Sequence, residues 1–424
     1  MFIANSRAKQ GSEICKYFAL TVPLFDLALI HLLKSHTVAY PVQIFVAVEF
    51  LNLKRLNVFI LGTEPIDRNI RVMLRISTLL LLVGGALASE FTVNKFEDVK
   101  EACRHRNIVI SDIEVPAGQT LEFSGLKQGT KITFVGKVTF GFTTWEGPLI
   151  RIIGENITVT GAPGHLIDCD GKRWWDGQGC NGGVKKPEFF LAHLANSSIV
   201  NLNVKNTPVH AFSIYSCRNL LVSGITIDSS DGDYVNGGHN TDGFNVEGSS
   251  SNITINNCIV KNQDDCLSVK SGQDVVFEGN FCSGGHGISI GSVGGRKDNV
   301  VERVLMKNNI VADSENGIRV KTVLNAVGSV TNVTFEDISL ANIREYGIII
   351  QGNYLNEGPR GEPTGGVPIR GLVIKNVRGV VNPTGTNVLV WVKNASDWTW
   401  DADVRGGQNV YPCKGFPIEV GNKC

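Results

Sequence analysis

A short pattern of polar and apolar residues recurs along the chain. Each copy begins with a residue that is usually polar, continues with an apolar residue and places a second apolar or long polar residue two positions later. The copies begin at Ser198, Asn219, Asn252, Asp274, Arg303, Asn332 and Gly371. Self-similarity at a fixed period is typical of solenoid proteins.

The spacing of the copies predicts the length of one coil. Successive starts are separated by 21, 33, 22, 29, 29 and 39 residues, so the basic period is near 22 and the longer steps indicate loop insertions. The copies are rich in Val, Ile and Thr and punctuated by Asn and Gly, which favours strands and tight turns. The pattern predicts an all-β solenoid, a parallel β-helix of about ten coils, in which strands stack about 4.8 Å apart.

Three residues capable of acid–base chemistry follow the same period. Asp242, Asp264 and His286 are each 22 residues from the next, once the insertion 231–239 is assigned to the preceding loop. We therefore expect Asp242 to stack on Asp264 and His286 to lie one coil further. A single Asp in such a coil is more often a turn or surface residue, but three in register favour a functional site.

A capping helix is predicted at the start of the solenoid, over residues 92–104. Asn94 and Glu97 fit a capping box, which marks a helix N-terminus. An apolar stripe at helical spacing is formed by Val93, Phe96, Val99, Ala102 and Cys103. Solenoids need such a lid on their first coil.

The N-terminal part differs from the remainder. Residues 73–88 are typical of a secretory signal, with a charged start at Arg75, an apolar core and a small-residue cleavage site at 86–88. We expect residues 1–72 to be a gene-model extension or an unstructured leader; the alternative is an uncleaved membrane-associated extension. Residues 89–424 are expected to form one secreted, extracellular domain that does not contact a membrane.

Composition narrows the classes of partner. The chain contains 47 Gly and 3 Met, as suits a turn-rich all-β protein. The part after residue 88 has 31 basic and 35 acidic side chains, a net charge of −4, which argues against nucleic-acid binding. On a secreted chain five sequons are candidates for glycosylation: Asn156, Asn196, Asn252, Asn332 and Asn394.

Nine cysteines follow the signal, and an oxidising compartment favours disulfides. Cys169 with Cys180 and Cys413 with Cys424 would close short local loops. Cys266 and Cys282 flank the acid–base column and are further candidates. Cys217 and Cys258 are candidates for a bond across coils, which leaves Cys103 unpaired. No spacing typical of a zinc site occurs, and we expect neither a metal nor a cofactor.

The residue types in the column suit glycoside hydrolysis. Asp242, Asp264 and Asp265 would supply one protonated acid and an opposed carboxylate that activates water. Crowding of like charges raises the pKa of one carboxyl and keeps it protonated in mild acid. His286, one coil further, can hydrogen-bond a carboxylate or the substrate.

Arg319 and Lys321 add positive charge to the same surface. In a strand, residues i and i+2 face the same way. An exposed basic pair is the simplest interpretation, but beside the Asp column the two cations suit a substrate carboxylate. The substrate would then be an acidic polysaccharide. Tyr354 would stack on a sugar ring or simply pack.

The chain resembles the polygalacturonases, the pectin-cleaving glycoside hydrolases of family 28. Four motifs carry the resemblance in order: NTDG (240–243), QDDC (263–266), CSGGHGISIGSVGG (282–295) and IRVK (318–321). The likeness runs from about residue 107 to the C-terminus and is greatest to fungal and beetle endo-acting members. It implies a right-handed parallel β-helix and hydrolysis of α-1,4 galacturonan bonds with inversion, without a metal.

The resemblance also implies roles for individual residues. Asp264 matches the general acid, and Asp242 with Asp265 matches the pair that activates water. His286 matches the active-site histidine, and Asn240 belongs to the same motif and helps to shape the site. The residues implied to bind substrate are Arg319, Lys321 and Tyr354.

Alternatives to an endo-acting hydrolase remain open at this point. A silent pectin-binding relative would have lost one of the acids, and all of them are present. An exo-acting enzyme needs loops that block the groove, whereas the insertions near 231–239 and 356–366 are short. A pectate lyase would need calcium and an arginine base. We expect a monomer whose partners are pectin, or polygalacturonic acid, and plant inhibitor proteins.

Overall fold

The computed structural model describes residues 90–356, 361–409 and 413–424, together with the backbone of three earlier strands. The chain divides into two compact units, Met1–Leu87 and Ala88–Cys424. In the first unit an antiparallel sheet of order β1-β3-β2 is formed by β1 (Lys16–Val22), β2 (Phe45–Phe50) and β3 (Leu56–Gly62). The predicted signal at 73–88 lies outside the described residues, and our interpretation of 1–72 stays a prediction.

The second unit consists almost entirely of short strands. The first of them are β4 (Glu90–Val93), β5 (Asn107–Ser111), β6 (Glu114–Val115), β7 (Leu121–Phe123), β8 (Lys131–Val135), β9 (Lys137–Phe140), β10 (Ile150–Glu155), β11 (Thr158–Gly161), β12 (Leu166–Asp168), β13 (Phe190–Val200), β14 (Asn203–Lys205), β15 (Phe212–Tyr215), β16 (Arg218–Ser223) and β17 (Thr226–Asp228). They are followed by β18 (Phe244–Glu247), β19 (Ser250–Asn256), β20 (Ile259–Lys261), β21 (Leu267–Val269), β22 (Gly272–Glu278), β23 (Phe281–Ser283), β24 (Ile288–Val293), β25 (Val300–Lys307), β26 (Ile310–Ala312), β27 (Asn316–Val323), β28 (Ser329–Ile343), β29 (Tyr346–Tyr354), β30 (Ile369–Arg370), β31 (Val373–Val381), β32 (Thr386–Trp391), β33 (Ala395–Ser396) and β34 (Thr399–Arg405).

These strands pair in parallel along three faces of a β-helix, as the repeat predicted. The first face stacks β7, β10, β13, β15, β18, β21, β24, β27, β29 and β32, one strand from each of ten coils. The second and third faces are built in the same way, and β28 and β31 are long enough to contribute to both. The expected number of coils is therefore confirmed.

Alternation along each strand sends apolar side chains into the solenoid. On the first face Phe190, Phe212 and Phe244 stack in successive coils, with ring centroids 5.1 and 5.5 Å apart. All three rings are fully buried, and burial of such a side chain stabilises the fold by roughly 1.5–3 kcal/mol. The residues between them point outward, so the outer surface of this face is free to carry polar groups.

Asparagines at one corner of the coils explain the polar start of each repeat. Asn196, Asn219 and Asn252 have φ of 49°, 52° and 54°, a left-handed conformation that Asn tolerates. Their amides form a ladder, in which Asn219 donates to Asn196 at 2.7 Å and Asn252 donates to Asn219 at 2.9 Å. The first predicted start, Ser198, is two residues late, because Asn196 is the residue opposite Asn219.

All five sequon asparagines are exposed, which is compatible with glycosylation. Glycan occupancy stays a prediction. The Asn252 amide nitrogen is already engaged in the corner ladder, so a glycan there would replace one rung.

The first coil is capped as predicted, but by a shorter helix. A 3₁₀ turn at Phe96–Asp98 leads into α1 (Val99–Ala102), and further 3₁₀ turns occur at Gly171–Arg173, Gly179–Asn181 and Ser230–Gly232. The capping box at Asn94 and Glu97 was wrong, because β4 keeps the chain extended to Val93 and Lys95 then precedes the turn without a side-chain cap. None of the helices in the described part is long and apolar enough to cross a membrane.

Two of the expected disulfides are present and two are not. Cys266 bonds Cys282, and Cys413 bonds Cys424. Cys169 and Cys180 are both free, because Cys169 faces the core after β12 whereas Cys180 is exposed.

The suggested bond between Cys217 and Cys258 is also absent, because the register separates the two residues. Cys217 lies opposite Ser250 and Cys258 lies opposite Asn280, and in each pair the polar side chain accepts from the cysteine N–H. Cys103 is free, as expected.

Candidate active site

The predicted acid–base residues meet on the outer surface of the first face, where its strands begin. The register differs from the 22-residue expectation, which was wrong by one position. Phe244 is opposite Leu267, and Leu267 is opposite Ile288. Two residues earlier in each coil, Asp242 therefore lies opposite Asp265, and Asp265 lies opposite His286. The QDDC turn is one residue longer than its neighbours, and this places Asp264 beside the column.

Asp264 is held by three hydrogen-bonding groups. The amide of Asn240 donates to Oδ2 at 2.8 Å, the backbone N–H of Asp265 donates to Oδ1 at 2.7 Å, and Nδ1 of His286 lies 3.1 Å from Oδ1. The carboxyl is 8 % exposed. Both oxygens are thus fixed in position at the floor of the cleft.

Asp265 is paired with a cation. Nζ of Lys321 lies 2.6 Å from its Oδ2, the hydroxyl of Ser289 donates to Oδ1 at 2.6 Å, and Arg319 approaches Oδ1 at 3.9 Å. Lys321 and Arg319 project outward from β27, while Val320 between them is buried in the core. The two cations predicted to share one side of a strand therefore do so.

His286 lies between two carboxylates. Its Nδ1 faces Asp264, and its Nε2 lies 3.2 Å from Oε2 of Glu315. Glycines flank it because the coils approach closely: a Cβ at Gly285 would lie 2.0 Å from the Asp264 carbonyl oxygen. The sequence Gly-His-Gly thus allows the imidazole to reach over the carboxylates.

Asp242 has an imidazole of its own. Nε2 of His210 lies 3.7 Å from Asp242 Oδ1, and Nδ1 of His210 lies 3.2 Å from Oε1 of Glu188. The Asp242 side chain is buried, and Oδ1 has no hydrogen-bond partner within the described residues. It is therefore able to accept a proton.

The electrostatics of the empty cleft divide the two carboxyls. Burial, and next the negative charge of Asp264, raise the pKa of Asp242 to about 6. Burial also opposes ionisation of Asp264, but the charge and hydrogen bond of His286 outweigh it and lower the pKa of this carboxyl. For His286 burial acts in the other direction, yet Asp264 and Glu315 raise its pKa to about 10. The single proton of the pair therefore resides on Asp242 when the cleft is empty.

Tyr354 lies at the end of β29, as a residue of the cleft wall. Nζ of Lys321 is 5.4 Å from its ring centroid. Burial raises the pKa of its hydroxyl to about 12, so it stays neutral. The hydroxyl donates to Oδ1 of Asn356 at 3.1 Å.

Three loops meet above the cleft. Asn356 donates to Oδ1 of Asn181 at 3.1 Å, and the Asn181 amide lies 3.2 Å from Nε2 of His239. These residues come from the loop before β13, the insertion 231–239 and the segment after β29. The insertions that sequence reasoning treated as short therefore reach the substrate groove.

A cation could be sought beside Asp264, Asp265 and His286, since one donor atom of each lies within 4.8 Å of the others. Lys321 already neutralises Asp265, and the imidazole is directed at two carboxylates. These occupied donors do not fit a metal centre, and we assign no metal ligand here.

Sequence reasoning missed several residues of the cleft. These are His210, Glu315, Ser289, Lys270, Asn181 and Asn356. A signal existed for His210, because it precedes Phe212 by two residues, as Asp242 precedes Phe244. For Asn181 and Asn356 none existed, since they are 175 residues apart.

Comparison with known proteins fits this geometry. The model of glycosyl hydrolases family 28 matches residues 103–424. The chain belongs to this family. It is 49% identical over 355 residues to the polygalacturonase of Cochliobolus carbonum, covering 80% of this chain and 97% of the relative. It is 50% identical over 361 residues to endopolygalacturonase 1 of Colletotrichum lindemuthianum, covering 81% and 99%.

A solved structure shows the same fold. Endopolygalacturonase I from Stereum purpureum, complexed with two galacturonate, superposes with a TM-score of 0.69 at 37% sequence identity. The match covers 75% of this chain and 95% of that chain. The predicted right-handed parallel β-helix of a family 28 hydrolase is therefore confirmed.

Proposed function

We propose that the chain is a secreted endopolygalacturonase that hydrolyses α-1,4 bonds between galacturonic acid residues of pectin, with inversion. One observation carries the proposal: Asp242, Asp264 and Asp265 converge in one cleft beside Arg319 and Lys321. The carboxyls suit acid–base hydrolysis of a glycosidic bond. The cations suit a substrate that carries a carboxylate on every sugar.

The two catalytic steps are assigned as follows. Asp264 donates a proton to the glycosidic oxygen as the bond from that oxygen to the anomeric carbon breaks. Water attacks the anomeric carbon from the opposite side and gives its proton to the Asp242–Asp265 side of the cleft. Inversion follows because the leaving group and the attacking water lie on opposite faces of the sugar.

The proton on Asp242 must reach Asp264 before the bond breaks. Each carboxyl is a principal charged neighbour of the other, so the two share one proton. We assign its transfer to the entry of substrate, when the glycosidic oxygen offers Asp264 an acceptor. His286 and Asn240 keep Asp264 oriented throughout. The alternative, in which Asp242 itself is the acid, is favoured by its raised pKa alone.

Arg319 and Lys321 bind substrate carboxylates, and Tyr354 contacts a sugar ring. Lys270 is a third cation of the cleft, and it forms no ion pair within the described residues. It therefore adds to the positive potential that attracts a polyanion. The protein acts as a monomer, and plant inhibitor proteins are the class of macromolecule that would compete for the cleft.

Exo action is the second candidate, and the contact of Asn181 with Asn356 above the cleft favours it. One neutral hydrogen bond contributes only about 1 kcal/mol, so a polymer can displace it. The contact does not close the groove as an exo enzyme requires, and endo action is the better assignment.

The decisive experiment follows viscosity and reducing ends together on polygalacturonic acid, with and without chelator. A fast fall in viscosity with mixed oligomers, unaffected by chelator, is expected. Release of monomer or dimer at constant viscosity would mean exo action. Unsaturated products that absorb in the ultraviolet would indicate a lyase, and binding without products a silent relative.

A further inference from the structure

Glu188, His210 and Asp242 stack in three successive coils. Phe190 is opposite Phe212, and Phe212 is opposite Phe244, so the residues two positions earlier share one column. Backbone bonds extend this register: Ala211 N–H donates to the Asp242 carbonyl at 2.7 Å. The imidazole of His210 therefore lies between two carboxylates, 3.2 Å from Glu188 and 3.7 Å from Asp242.

This arrangement repeats the one around the other catalytic carboxyl. Glu315, His286 and Asp264 also form a carboxylate–imidazole–carboxylate series, with distances of 3.2 and 3.1 Å. Each member of the Asp242–Asp264 pair thus has an imidazole, and each imidazole has an outer glutamate. Only the His286 arm is implied by the motifs of the sequence.

The outer glutamate is itself held in place. The hydroxyl of Ser213 donates to Oε2 of Glu188 at 2.9 Å, which leaves Oε1 for His210. Glu188 therefore fixes the ring so that Nε2 points at Asp242. An imidazole fixed in this way acts on the carboxyl without touching substrate atoms.

Four groups face His210 from the elements around it. Glu188 precedes β13, Asp242 precedes β18, and Lys270 follows β21. Cys180 comes from the 3₁₀ turn, with Sγ 3.8 Å from Nε2. Burial disfavours the imidazolium, but Asp242, Cys180 and Glu188 together raise the pKa of His210 well above its usual value. The ring is therefore positively charged in acid.

We propose that Glu188 and His210 are positioning residues that hold a positive charge against Asp242 and so set the upper pH limit of catalysis. The proposal rests on the proposed function, because it concerns the proton shared by Asp242 and Asp264. It assigns His210 to charge control and not to substrate binding.

The direction of the effect follows from electrostatics. A neighbouring cation makes a carboxyl easier to ionise, so the pair loses its proton at a lower pH than it otherwise would. Without the charge of His210 the proton is retained to higher pH. The alkaline limb of the rate profile then moves upward, and the acidic limb moves in the same direction.

The test is the pH dependence of kcat/KM on polygalacturonic acid for the native chain and for His210→Gln. Glutamine fills a similar space, keeps a hydrogen-bonding group toward Glu188 and carries no charge. We expect the alkaline limb to move up by about one pH unit, with KM changed less than twofold. His193→Gln is the matched control, because His193 is exposed on β13 and outside the cleft; its profile should equal that of the native chain.

A second variant separates charge from folding. Cys180→Ser keeps a small polar group beside His210 and leaves the imidazolium in place, so its pH profile should not move. Thermal unfolding of each variant, followed by circular dichroism, establishes that the fold is retained. If His210→Gln does not fold, Glu188→Gln is measured instead, and an altered profile with unchanged KM is again expected.

The outcomes separate this inference from the proposed function. An inactive native chain would overturn the hydrolase assignment itself. A native chain that hydrolyses polygalacturonate, with a His210→Gln profile that keeps its limbs and loses only kcat, would overturn the inference alone. A higher KM with unmoved limbs would make His210 a substrate-binding cation and would also contradict it.

Discussion

The ammonium group of Lys321 lies 2.6 Å from Oδ2 of Asp265, although the two residues are 56 positions apart in sequence. Both are almost fully buried. They meet because β27 is stacked two coils beyond β21 through β24. Removing one member of such a pair leaves a buried charge unpaired, which costs about 3–5 kcal/mol. Lys321 therefore serves two carboxylates, that of Asp265 and that of the substrate.

Lys321→Ala should weaken both binding and turnover. Loss of a charged hydrogen bond to substrate costs about 1.5–3 kcal/mol, so kcat/KM on unesterified polygalacturonate should fall at least tenfold. KM should rise more on this substrate than on fully methylated pectin, and kcat should fall on both, because Asp265 loses its cation. Initial rates of reducing-end release on the two substrates measure this.

The control for that variant is Lys375→Ala. Lys375 is an exposed lysine paired with Glu336 at 2.8 Å, far in sequence from the cleft residues. Its kinetics should match those of the native chain. An equal rise in KM on the unesterified and methylated substrates in Lys321→Ala would contradict carboxylate recognition.

Asp264→Asn should abolish hydrolysis of the polymer while the fold is retained. General acid catalysis contributes about 10²–10⁴-fold, and an amide cannot supply the proton. A galacturonide with a good leaving group needs no acid, so this variant should keep most of its activity on an aryl galacturonide. Asp242→Asn should lose activity on both substrates and regain part of it when azide replaces water as the nucleophile.

Asp274→Asn is the matched control, because Asp274 is an exposed carboxylate engaged with Arg303. Its rates should be unchanged. Retention of more than a few per cent of polymer hydrolysis by Asp264→Asn would overturn the acid assignment. If Asp242→Asn were the variant that an activated leaving group rescues, the roles of the two carboxyls would be exchanged.

Periodicity made the β-helix predictable, because each coil repeats the same inward apolar positions. The expected residues Arg319 and Lys321 were correctly placed on one side of a strand for the same reason. The error at Asp264 arose because one additional residue in a turn shifts every later position by one. A spacing of 22 can be counted along a sequence, but the length of a turn cannot.

Contacts between distant loops were not predictable from the pattern. Asn181 meets Asn356 through two loops that belong to no repeat. Cys169 and Cys180 are close in sequence, yet one side chain enters the core and the other faces the cleft. Proximity along the chain is therefore a poor guide to disulfides in a solenoid, where the neighbouring coil supplies the spatial neighbours.

The rate profile should be acidic. The pKa of Asp242 is raised to about 6, so the proton of the carboxyl pair is present below that pH and is lost as the pH rises through it. Because that proton is needed at the glycosidic oxygen, kcat/KM should fall tenfold for each pH unit above about 6. Measurement from pH 3 to 9 in buffers of constant ionic strength tests this. An optimum above neutrality would contradict the shared proton.

The disulfide between Cys266 and Cys282 should stabilise both the fold and the site. It closes a loop of 16 residues, for which loop-closure entropy predicts about 3 kcal/mol. The double variant Cys266→Ala, Cys282→Ala should therefore lose about that much free energy of unfolding in guanidinium titration. Because Cys266 directly follows Asp265, kcat should fall as well. Cys180→Ser removes an exposed free thiol and should change neither quantity. A double variant as stable as the native chain would mean that strand pairing alone holds the two aspartates in place.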